Sequence, residues 1–489
     1  MKKRKRTEME TFLVILLLCV SITFFLTSCT FTRRLLSFPT PYKTHYMRDI
    51  PGRTIIYHGA NISNYSKHSG PPLPSTGIGV AGLTWHGEKE ASDLESWGFN
   101  IVRYTVFWEA IEPIRGQYDN AYIDSVIEKI RLLGNHGVDV IVDIHQDLFA
   151  QRYHGDGFPE WAVRDDGKKF EFQESWAMNY FQPAVRACFD NFWSNKDGLL
   201  DANVAMIEHV LLKVKEIPNV IGIDVINEPW PKGFFLKFER KELTHYYEKL
   251  MEMWLKHNNG YPHLMFEPWM STSAGYPTNL RVNNWKGTHF CGLVYMPHYY
   301  DFFCEQRKPY RWFNRQVMKR GMNIRSSEAE EFESPMLYGE FGFPLAVKNC
   351  KKAYQNFLDL ADKHTVGWCH WAYDKNIHSE YGLITEGGKP TEYLGLLVRI
   401  YPQRIGGTNA KYSFKKDVFK MTWDYKDSDW ISPINNPTEV YVPESWEVEI
   451  ESDCPFARTD TKVLFDHRSN GKRKHNVKIT VKNRNGFPL

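Results

Sequence analysis

One stretch of this chain decides its fold: Val220-Ile221-Gly222-Ile223-Asp224-Val225-Ile226, followed directly by Asn227-Glu228-Pro229-Trp230. The first part is an almost continuous apolar run, which is typical of a strand buried on both faces. Pro229 then removes a backbone donor and fixes the turn after the strand. The stretch therefore predicts a buried parallel strand with a carboxyl group, that of Glu228, just past its C-terminal end.

Runs of this kind recur along the chain and are separated by segments of helix length. The eight predicted strands are residues 54–58, 100–106, 138–144, 220–226, 263–266, 292–296, 336–339 and 365–370. Between the second and the third, residues 122–133 place apolar side chains at helical spacing and end before Gly134. Strand–helix alternation of this length predicts an α/β fold, a (β/α)8 TIM barrel whose functional face lies at the C-terminal ends of the strands.

The pattern changes after about residue 395. Phe419, Met421, Trp423 and Tyr425 alternate with polar residues, and further short strands are predicted at 439–442, 446–450, 462–465 and 477–481. An Asn-Gly turn at 470–471 separates the last two. These features predict a C-terminal antiparallel β-sandwich domain. We therefore divide the chain into a leader at 1–29, a linker at 30–50, the barrel at 51–395 and the sandwich at 396–489.

The leader begins with the basic run Lys2-Lys3-Arg4-Lys5-Arg6 and continues with an apolar segment from Phe12 to about Leu26. A segment of this length is short for a membrane-spanning helix and also fits the core of a signal peptide. Positive charge before it sends the rest of the chain across the membrane. We favour a single-pass signal anchor, with a cleaved signal peptide and a lipoprotein-type Leu-Thr-Ser-Cys box ending at Cys29 as alternatives. All three place the barrel outside the cytosol.

Charge and composition narrow the possible partners. The net charge is +3, of which the leader's basic run alone contributes +5, so the remainder is slightly acidic and a nucleic-acid partner is not expected. The chain has no Cys-x-x-Cys pair and no zinc or redox motif, so we expect no metal and no organic cofactor.

Two further expectations follow from an extracytoplasmic location. A disulfide could form between Cys304 and Cys350, which lie in predicted loops. Two N-glycosylation sequons begin at Asn61 and Asn64. Asn61 ends the first predicted strand, where a glycan would obstruct the barrel mouth, so Asn64 is the preferred acceptor.

A second glutamate repeats the arrangement around Glu228. Glu340 lies in Leu337-Tyr338-Gly339-Glu340-Phe341-Gly342, at the end of the seventh run. Two carboxyl groups at the mouth of a barrel are what cleavage of a glycosidic bond requires, one to protonate the leaving oxygen and one to attack or to activate water. Arg103 and Tyr300 follow other strands and are the predicted donors that keep Glu340 ionised.

Other strand ends supply side chains that suit a sugar ligand. His145 and Asp147 end the third run and can bind hydroxyl groups, and Asn227 can hydrogen-bond the sugar 2-hydroxyl. His298 precedes Tyr300 in a His-x-Tyr motif after the sixth run, and Trp371 follows the eighth as a stacking platform. Each residue alone is more often structural, but their order around the predicted barrel favours a joint function.

With these motifs the chain resembles glycoside hydrolase family 5, and within it the endoglycoceramidases, from about residue 50 to the end. The stretches that carry the resemblance are His58-Gly59-Ala60-Asn61 leading to Lys67, Asp143-Ile144-His145-Gln146-Asp147, Gly155-Asp156-Gly157-Phe158-Pro159-Glu160-Trp161 and Phe189-Asp190-Asn191-Phe192-Trp193. The resemblance implies that Glu228 is the acid/base and Glu340 the nucleophile. It implies sugar contacts for Lys67, His145, Asp147, Trp176, Asn227, Tyr300 and Trp371.

The resemblance implies a retaining hydrolase that cleaves between the oligosaccharide and the ceramide of glycosphingolipids at a membrane surface, with an activator protein or another lipid presenter as a possible partner. We expect an apolar cleft for the lipid, with Trp230, Phe234 and Phe235 suitably placed after the acid. Two alternatives stay open. One is a family 5 β-glucosidase that acts on glucosylceramide, steryl glucosides or β-glucans, and the other is a catalytically silent glycan-binding surface protein.

Overall fold

The structure is a computed structural model, and it describes residues 46–49, 52–63, 87–233, 237–257, 261–281, 292–373, 381–385, 388–425, 436–466 and 473–485. The chain divides into two compact units, Met1–Lys43 and Thr44–Leu489, and all the described residues belong to the second. The predicted leader, Asn64, Lys67, the Phe234-Phe235 pair and the Asn470-Gly471 turn lie outside the described residues.

Eighteen strands and ten α-helices are described. The strands are β1 Thr54–Ile55, β2 His58–Ile62, β3 Ile101–Phe107, β4 Asp139–His145, β5 Val220–Asp224, β6 His263–Phe266, β7 Leu293–Tyr295, β8 Tyr299–Tyr300, β9 Leu337–Gly342, β10 Gly367–His370, β11 Tyr401–Ile405, β12 Thr408–Lys415, β13 Val418–Asp424, β14 Thr438–Tyr441, β15 Trp446–Ser452, β16 Phe456–Arg458, β17 Lys462–Phe465 and β18 Lys474–Arg484. The helices are α1 Glu88–Ser96, α2 Trp108–Ile111, α3 Asn120–Asn135, α4 Pro183–Trp193, α5 Leu199–Val214, α6 Thr244–His257, α7 Phe302–Glu305, α8 Trp312–Glu331, α9 Cys350–His364 and α10 Glu392–Leu397.

Strands β2 to β10 form one parallel sheet in the order β7-β6-β5-β4-β3-β2-β10-β9-β8. The two ends of this order meet, because a parallel bridge joins Tyr295 of β7 to Met336, just before β9. Strands β7 and β8 are therefore two halves of one interrupted barrel strand, and the sheet closes into the predicted (β/α)8 barrel. The predicted fold class is confirmed, including the C-terminal antiparallel sheets.

Inside the barrel, an apolar layer lies beneath the polar residues of the catalytic end. The layer consists of Tyr57, Ile101, Ile141, Ile221, Met265, Val294, Met296, Leu337 and Cys369. Side chains that point inward recur every second residue along a strand, so the next inward position lies one layer closer to the mouth. Two residues after Ile101 comes Arg103, and two after Met265 comes Glu267. The barrel core thus switches from apolar to charged within one step of the strand repeat.

The predicted first barrel strand was wrong in its position. Residues 54–55 form β1, which pairs antiparallel with β11 in the C-terminal sheet. The first barrel strand is β2, from His58 to Ile62, where the backbone N–H of Asn100 donates to the carbonyl of His58. One continuous stretch, residues 54–58, spans the end of β1 and the start of β2, so hydropathy alone marks no boundary between the two sheets. The other predicted barrel strands lie within three residues of their predicted bounds, except that the strand predicted at 292–296 continues after a break as β8, which was not predicted. Strand β9 extends to Gly342, so Glu340 lies inside a strand.

The C-terminal region contains a five-stranded sheet, β1-β11-β14-β17-β16, and a four-stranded sheet, β12-β13-β18-β15. Strands β11, β12 and β16 were not predicted. The barrel packs closely on this region at Gly98, whose carbonyl accepts a hydrogen bond of 2.5 Å from the Tyr401 hydroxyl. A Cβ atom on Gly98 would lie 2.4 Å from the ring of Tyr441, so only glycine permits this contact. The predicted boundary at residue 395 falls inside α10 and stays a prediction.

The predicted cysteine pair is not joined by a disulfide. The five cysteines among the described residues are free and buried, Cys304 and Cys350 included. Burial raises the pKa of the Cys350 thiol to about 12, and this thiol donates to the carbonyl of Phe343. The amide of Asn61 is also buried and donates to the carbonyls of Gly339 and His370, which excludes a glycan on Asn61 in this fold. Among the described residues, no helix is long and apolar enough to cross a membrane.

His370 gives a testable prediction about acid stability. Burial lowers the pKa of His370 to about 3, and its Nε2 lies 2.8 Å from the Tyr354 hydroxyl. The unfolded chain takes up a proton at His370 below about pH 6.5, whereas the folded protein does not until about pH 3. As the pH is lowered from about 6.5 to about 3, the free energy of unfolding should therefore fall. This residue contributes up to about 1.4 kcal/mol per pH unit to that decrease.

The measurement is denaturant unfolding from pH 7 to pH 4 of the parent and of His370→Gln, whose side chain still accepts from Tyr354. We expect a shallower dependence of stability on pH in the variant. The matched control is His245→Gln, because the His245 side chain is exposed in the folded protein. Equal slopes for the parent and His370→Gln would contradict the assignment.

Candidate active site

Arg103, on β3, is the centre of the polar layer and is completely buried. Its guanidinium donates to six side chains from neighbouring strands: Asn61, Asp143, Asp224, Asn227, Glu267 and Glu340. Burial by itself disfavours the charged form, but the surrounding carboxylates outweigh it and raise the pKa of Arg103 well above its ordinary value. The cation is therefore permanent, and it fixes the orientation of the groups around it.

Both oxygens of the Glu340 carboxylate accept hydrogen bonds. Arg103 Nη1 donates to Oε1 over 2.7 Å, and the Tyr300 hydroxyl donates to Oε2 over 2.8 Å. Burial, and then the charge of Glu340, raises the pKa of Tyr300 well above its ordinary value, so the hydroxyl keeps its proton and remains a donor. Donors on both oxygens favour the ionised carboxylate, which is the form that a nucleophile needs. The structure thus brings together Arg103, Tyr300 and Glu340, the two donors and the carboxylate that the sequence analysis placed together.

Glu228 lies in a strained turn just past β5, with a φ of 38°. This left-handed conformation costs a non-glycine residue of the order of 1–3 kcal/mol and requires support on both sides. The backbone N–H of Glu228 donates to Glu267 Oε2 over 2.9 Å, and its carbonyl accepts from Gln146 Nε2 over 3.2 Å. These two bonds aim the Glu228 side chain at the mouth of the barrel, where it remains 16% exposed.

His298 lies between the two glutamates. Its Nδ1 is 3.1 Å from Glu228 Oε1 and 3.7 Å from Glu340 Oε2. One ring nitrogen of His298 and one carboxylate oxygen each from Glu228 and Glu340 all lie within 4.8 Å of one another. Carboxyl groups of retaining glycosidases stand about 5–5.5 Å apart, whereas those of inverting enzymes are separated by about 6.5–9.5 Å to admit a water molecule. The spacing found here corresponds to retention.

Glu267 was missed by the sequence analysis. It follows β6, is buried, and lies 3.1 Å from His298 Nε2 through Oε1, while its other oxygen accepts from Glu228. A signal for it was present, because Glu267-Pro268-Trp269 repeats the Glu228-Pro229-Trp230 triplet at the next strand end.

The carboxylates of this layer outnumber the guanidinium, and their crowding shifts the pKa values of neighbouring groups. Burial, followed by the charge of Glu267, raises the pKa of Asp224 well above its ordinary value, against the opposing charge of Arg103. Burial disfavours a charged ring on His298, but Glu267 and Glu340 raise its pKa to about 10. Glu267 thus contributes to the raised pKa of both Asp224 and His298.

A second polar cluster follows β4. His145 Nδ1 lies 2.7 Å from Asp143 Oδ2, and its Nε2 lies 3.5 Å from Asp147 Oδ2. Burial disfavours the charged ring, yet the two carboxylates, Asp143 first, raise the pKa of His145 well above its ordinary value. Asp147 also accepts from the Tyr180 hydroxyl over 3.0 Å. The cluster presents fixed charges at the side of the barrel mouth.

The Gly155-Asp156-Gly157 motif holds this cluster in place. Asp147 and Asp156 form an antiparallel bridge, so the chain turns back along the end of β4. A Cβ atom on Gly155 would lie 1.8 Å from the carbonyl oxygen of Asp147. Only glycine allows the two backbones to approach so closely, which explains why the motif accompanies Asp147.

Aromatic residues line the same region. The ring of Trp371 is buried and stacks on His145 with centroids 5.5 Å apart. Trp176 is partly buried and packs edge-on against Tyr180 at 5.6 Å, and Tyr180 in turn stacks on Trp230 at 4.4 Å. These contacts connect the predicted sugar side of the site to the residue that follows the Glu228 turn.

Of the other predicted site residues, Asn227 is buried and joins two neighbours. It accepts from Arg103 through Oδ1 and donates to the carbonyl of Gln146 through Nδ2. A contact between Asn227 and a sugar hydroxyl stays a prediction, as do the roles of the remaining site residues. Lys67 lies outside the described residues.

Three groups of side chains in the site have the composition of a metal site: His145, Asp147 and Asp156; Asp224, Glu267 and His298; and Glu228, His298 and Glu340. Each group contains a histidine whose pKa is raised by adjacent carboxylates. A protonated imidazole cannot act as a ligand, since ligation requires the neutral ring.

Comparison with known proteins agrees with this geometry. Endoglycoceramidase I of Rhodococcus hoagii is 27% identical, with 84% of this chain and 83% of that protein covered. Endo-glycoceramidase II from Rhodococcus sp., solved as a ganglioside GM3 complex, superimposes with a TM-score of 0.75 at 22% identity, covering 90% of this chain and 99% of that one. Sterylglucosidase 1 of Cryptococcus neoformans superimposes with a TM-score of 0.72 at 15% identity, covering 92% and 97%.

The family assignment rests on a match to a family model. Residues 66–377, well over half of the chain, match the model of the family Cellulase (glycosyl hydrolase family 5). This span contains seven of the eight barrel strands and both glutamates of the site. The chain belongs to glycosyl hydrolase family 5 and is a glycoside hydrolase.

Proposed function

We propose that the protein is a retaining endo-β-glycosidase that hydrolyses the bond between oligosaccharide and ceramide in glycosphingolipids. The observation that carries the reaction type is the pair Glu228 and Glu340, in which one carboxylate oxygen of each lies within 4.8 Å of one oxygen of the other. The substrate class is supported by the similarity to endoglycoceramidase I of Rhodococcus hoagii along 83% of that protein's length.

In the first step, Glu340 attacks the anomeric carbon of the reducing-end glucose and Glu228 gives its proton to the ceramide oxygen. The C–O bond to ceramide breaks, ceramide leaves as an alcohol, and the sugar is bound covalently to Glu340. In the second step, Glu228 removes a proton from water, which attacks the same carbon and releases the oligosaccharide. Two inversions give net retention, and the carboxyl groups return to their starting protonation states.

The neighbours of the two glutamates support these roles. Arg103 and Tyr300 hold Glu340 as an anion and release part of that hydrogen bonding as the covalent bond forms. His298 is charged at neutral pH and lies beside both glutamates, so it favours their ionised forms. It therefore supports Glu340 as the nucleophile and Glu228 as the base of the second step. Glu267 positions Glu228 through the backbone bond and holds His298 through the ring.

Sugar binding is assigned to the side of the mouth formed after β4 and β10. His145 and Asp147 offer charged partners for hydroxyl groups, with Lys67 and Asn227 as further proposed contacts. Trp371 and Trp176 are the proposed stacking surfaces, in line with the general use of aromatic rings against sugar faces. Because Trp371 is buried under the site and stacks on His145, its orientation is fixed before a ligand arrives.

We also propose that the protein works outside the cytosol, either held by its N-terminal segment as a signal anchor or released after cleavage. The basic run before an apolar segment supports this orientation. Expression of the full chain in a eukaryotic secretory system distinguishes the two forms. An anchor leaves the protein in the membrane pellet after alkaline carbonate, with Met1 retained, whereas a cleaved signal gives soluble protein with a new N-terminus. A full-length protein in the cytosol would contradict both.

One prediction of the proposed function concerns the reaction products and the two glutamates. With lactosylceramide as substrate, the parent should release intact lactose and free ceramide, and the first-formed lactose should be the β-anomer by NMR. Glu340→Gln should lose at least about 1,000-fold in turnover, because the nucleophile is gone. Glu228→Gln should still form the covalent intermediate from an aryl lactoside, whose leaving group needs little protonation, and then hydrolyse it slowly.

Mass spectrometry of the denatured Glu228→Gln protein should therefore show a covalent disaccharide adduct on Glu340. Stepwise release of single sugars, or turnover of simple or steryl glucosides only, would move the function to another β-glucosidase of the family. Binding of glycolipid without any turnover would indicate a silent glycan-binding protein.

Another prediction concerns Glu267, which positions Glu228 and His298 in the proposed mechanism but does not contact the substrate. In Glu267→Gln a negative charge is removed beside His298 and the Glu228 turn, so nearby protonated groups release their protons at lower pH. The alkaline limb of the profile of kcat/KM against pH should move down by at least about one unit, and kcat should fall about tenfold or more.

Glu239→Gln is the matched control for Glu267→Gln. Glu239 is also a buried glutamate, but it accepts from the backbone N–H of Trp269 and the hydroxyl of Thr278, away from the two catalytic carboxylates. We expect its replacement to lower the thermal unfolding temperature without moving the alkaline limb. If the two variants move the limb equally, Glu267 acts through general stability and not through position.

A further inference from the structure

An exposed aromatic cluster lies at the catalytic end of the barrel. We name it the rim patch and define it as Phe302 and Phe303 of α7 with Trp312 and Phe313 of α8. Trp312 is 77% exposed and Phe303 is 44% exposed. The rings contact each other, with centroids 5.3 Å apart between Phe303 and Phe313 and 6.3 Å apart between Trp312 and Phe313. Isolated exposed apolar residues are common, but a connected group that includes tryptophan marks an interaction surface.

The position of the rim patch follows from the barrel. Tyr300, at the end of β8, donates to Glu340, and α7 begins two residues later. Tyr381 connects the two elements, because its ring lies 6.5 Å from that of Tyr300 and its hydroxyl donates to Glu305 of α7 over 2.7 Å. Helix α8 is the next barrel helix, so its first residue, Trp312, is also at the catalytic end. The rim patch therefore borders the mouth that contains the two glutamates.

Basic residues surround the rim patch. Six exposed cations lie in the segment that joins α7 to α8 and on the first half of α8: Arg307, Lys308, Arg311, Arg315, Lys319 and Arg320. Arg315 and Lys319 follow Trp312 at helical spacings of three and seven, so they share one face of α8 with it. Of the two acidic residues in 301–320, Asp301 is buried and caps α7, which leaves Glu305 as the exposed one. The surface is therefore aromatic at its centre and strongly positive around it.

This combination selects one class of partner. Tryptophan and phenylalanine settle at the boundary between lipid headgroups and acyl chains, and lysine and arginine are attracted to the anionic headgroups above them. A partly anionic bilayer satisfies both components at once. We propose that the rim patch docks the barrel mouth onto an anionic membrane surface. The inference rests on the proposed function in one respect, since a ceramide-linked substrate is embedded in such a surface.

Docking is measured with the unit that begins at Thr44, which is compact in its own right, so that the N-terminal apolar segment does not contribute. Far-ultraviolet circular dichroism and a cooperative thermal transition check that this fragment is folded. Sedimentation with vesicles of phosphatidylcholine containing about one third phosphatidylserine gives the partition coefficient. We expect Phe303→Ala/Trp312→Ala to lower it about tenfold or more, and Lys308→Glu/Arg311→Glu to abolish the preference for phosphatidylserine over pure phosphatidylcholine.

Matched controls lie on the C-terminal sheets. Phe456→Ala removes an aromatic side chain that is 45% exposed, nearly the same as Phe303, and Lys420→Glu reverses an exposed charge on β13. Both should partition like the parent. Unchanged partition of the Phe303/Trp312 variant would overturn the proposal. So would a concentration-dependent dimer that this variant abolishes while vesicle binding is absent, because the rim patch would then be a contact between two copies of the chain.

Activity separates failure of the docking surface from failure of the proposed function. With lactosylceramide in vesicles, the Phe303/Trp312 variant should be at least about fivefold slower than the parent, while its turnover of a soluble aryl lactoside should be unchanged. Equal losses on both substrates would show a structural effect and contradict docking. Vesicle binding that depends on Trp312 in a protein without glycolipid hydrolysis would keep the docking surface and reject the proposed function.

Discussion

The buried guanidinium of Arg103 is the constraint on which the site depends. Removing such a cation from water costs several kcal/mol, and the cost is offset only when its donors are satisfied with good geometry. Its acceptors come from β2, β4, β5, β6 and β9 or from the residues that follow them: Asn61, Asp143, Asp224, Asn227, Glu267 and Glu340. One planar group therefore sets the relative height of five barrel strands, and with it the position of Glu340.

The carboxylates around this cation also shift the pKa values of neighbouring groups. One guanidinium cannot balance Asp143, Asp224, Glu267 and Glu340 together, and like charges at this spacing in a buried layer are strongly unfavourable. The pKa of Asp224 is raised, and the pKa of His298 is raised to about 10, so both shifts reduce the excess of negative charge in the layer. The ionisation of the two catalytic glutamates thus depends on buried groups beside them. Sequence motifs centred on substrate contacts do not reveal such groups.

The limits of the sequence analysis follow from what periodicity reports. Apolar runs ending in a polar residue located the barrel strands and both glutamates, because burial on two faces leaves a continuous pattern. The same pattern did not distinguish β1 from β2, since a strand buried in the sandwich and one buried in the barrel look alike. Asp224 was visible only as a polar interruption of the run 220–226. Partners on separate strands, such as Glu267 after β6 and His298 after β7, meet only when those strands pair.

The rim patch and the polar layer together constrain how the bond to be cleaved reaches the glutamates. In a glycosphingolipid that bond joins a hydrated sugar to a buried lipid, so it lies at the level of the headgroups. A barrel bound by charge alone would remain at the outer surface of the headgroup layer, above the bond to be cleaved, because lysine and arginine interact with the hydrated headgroups there. Aromatic rings sink to the headgroup boundary, and Phe303 and Trp312 follow Tyr300 closely in the fold. Insertion of these rings would hold the barrel mouth, which leads to Glu228 and Glu340, against the headgroups, so that the substrate would enter the site directly from the membrane surface.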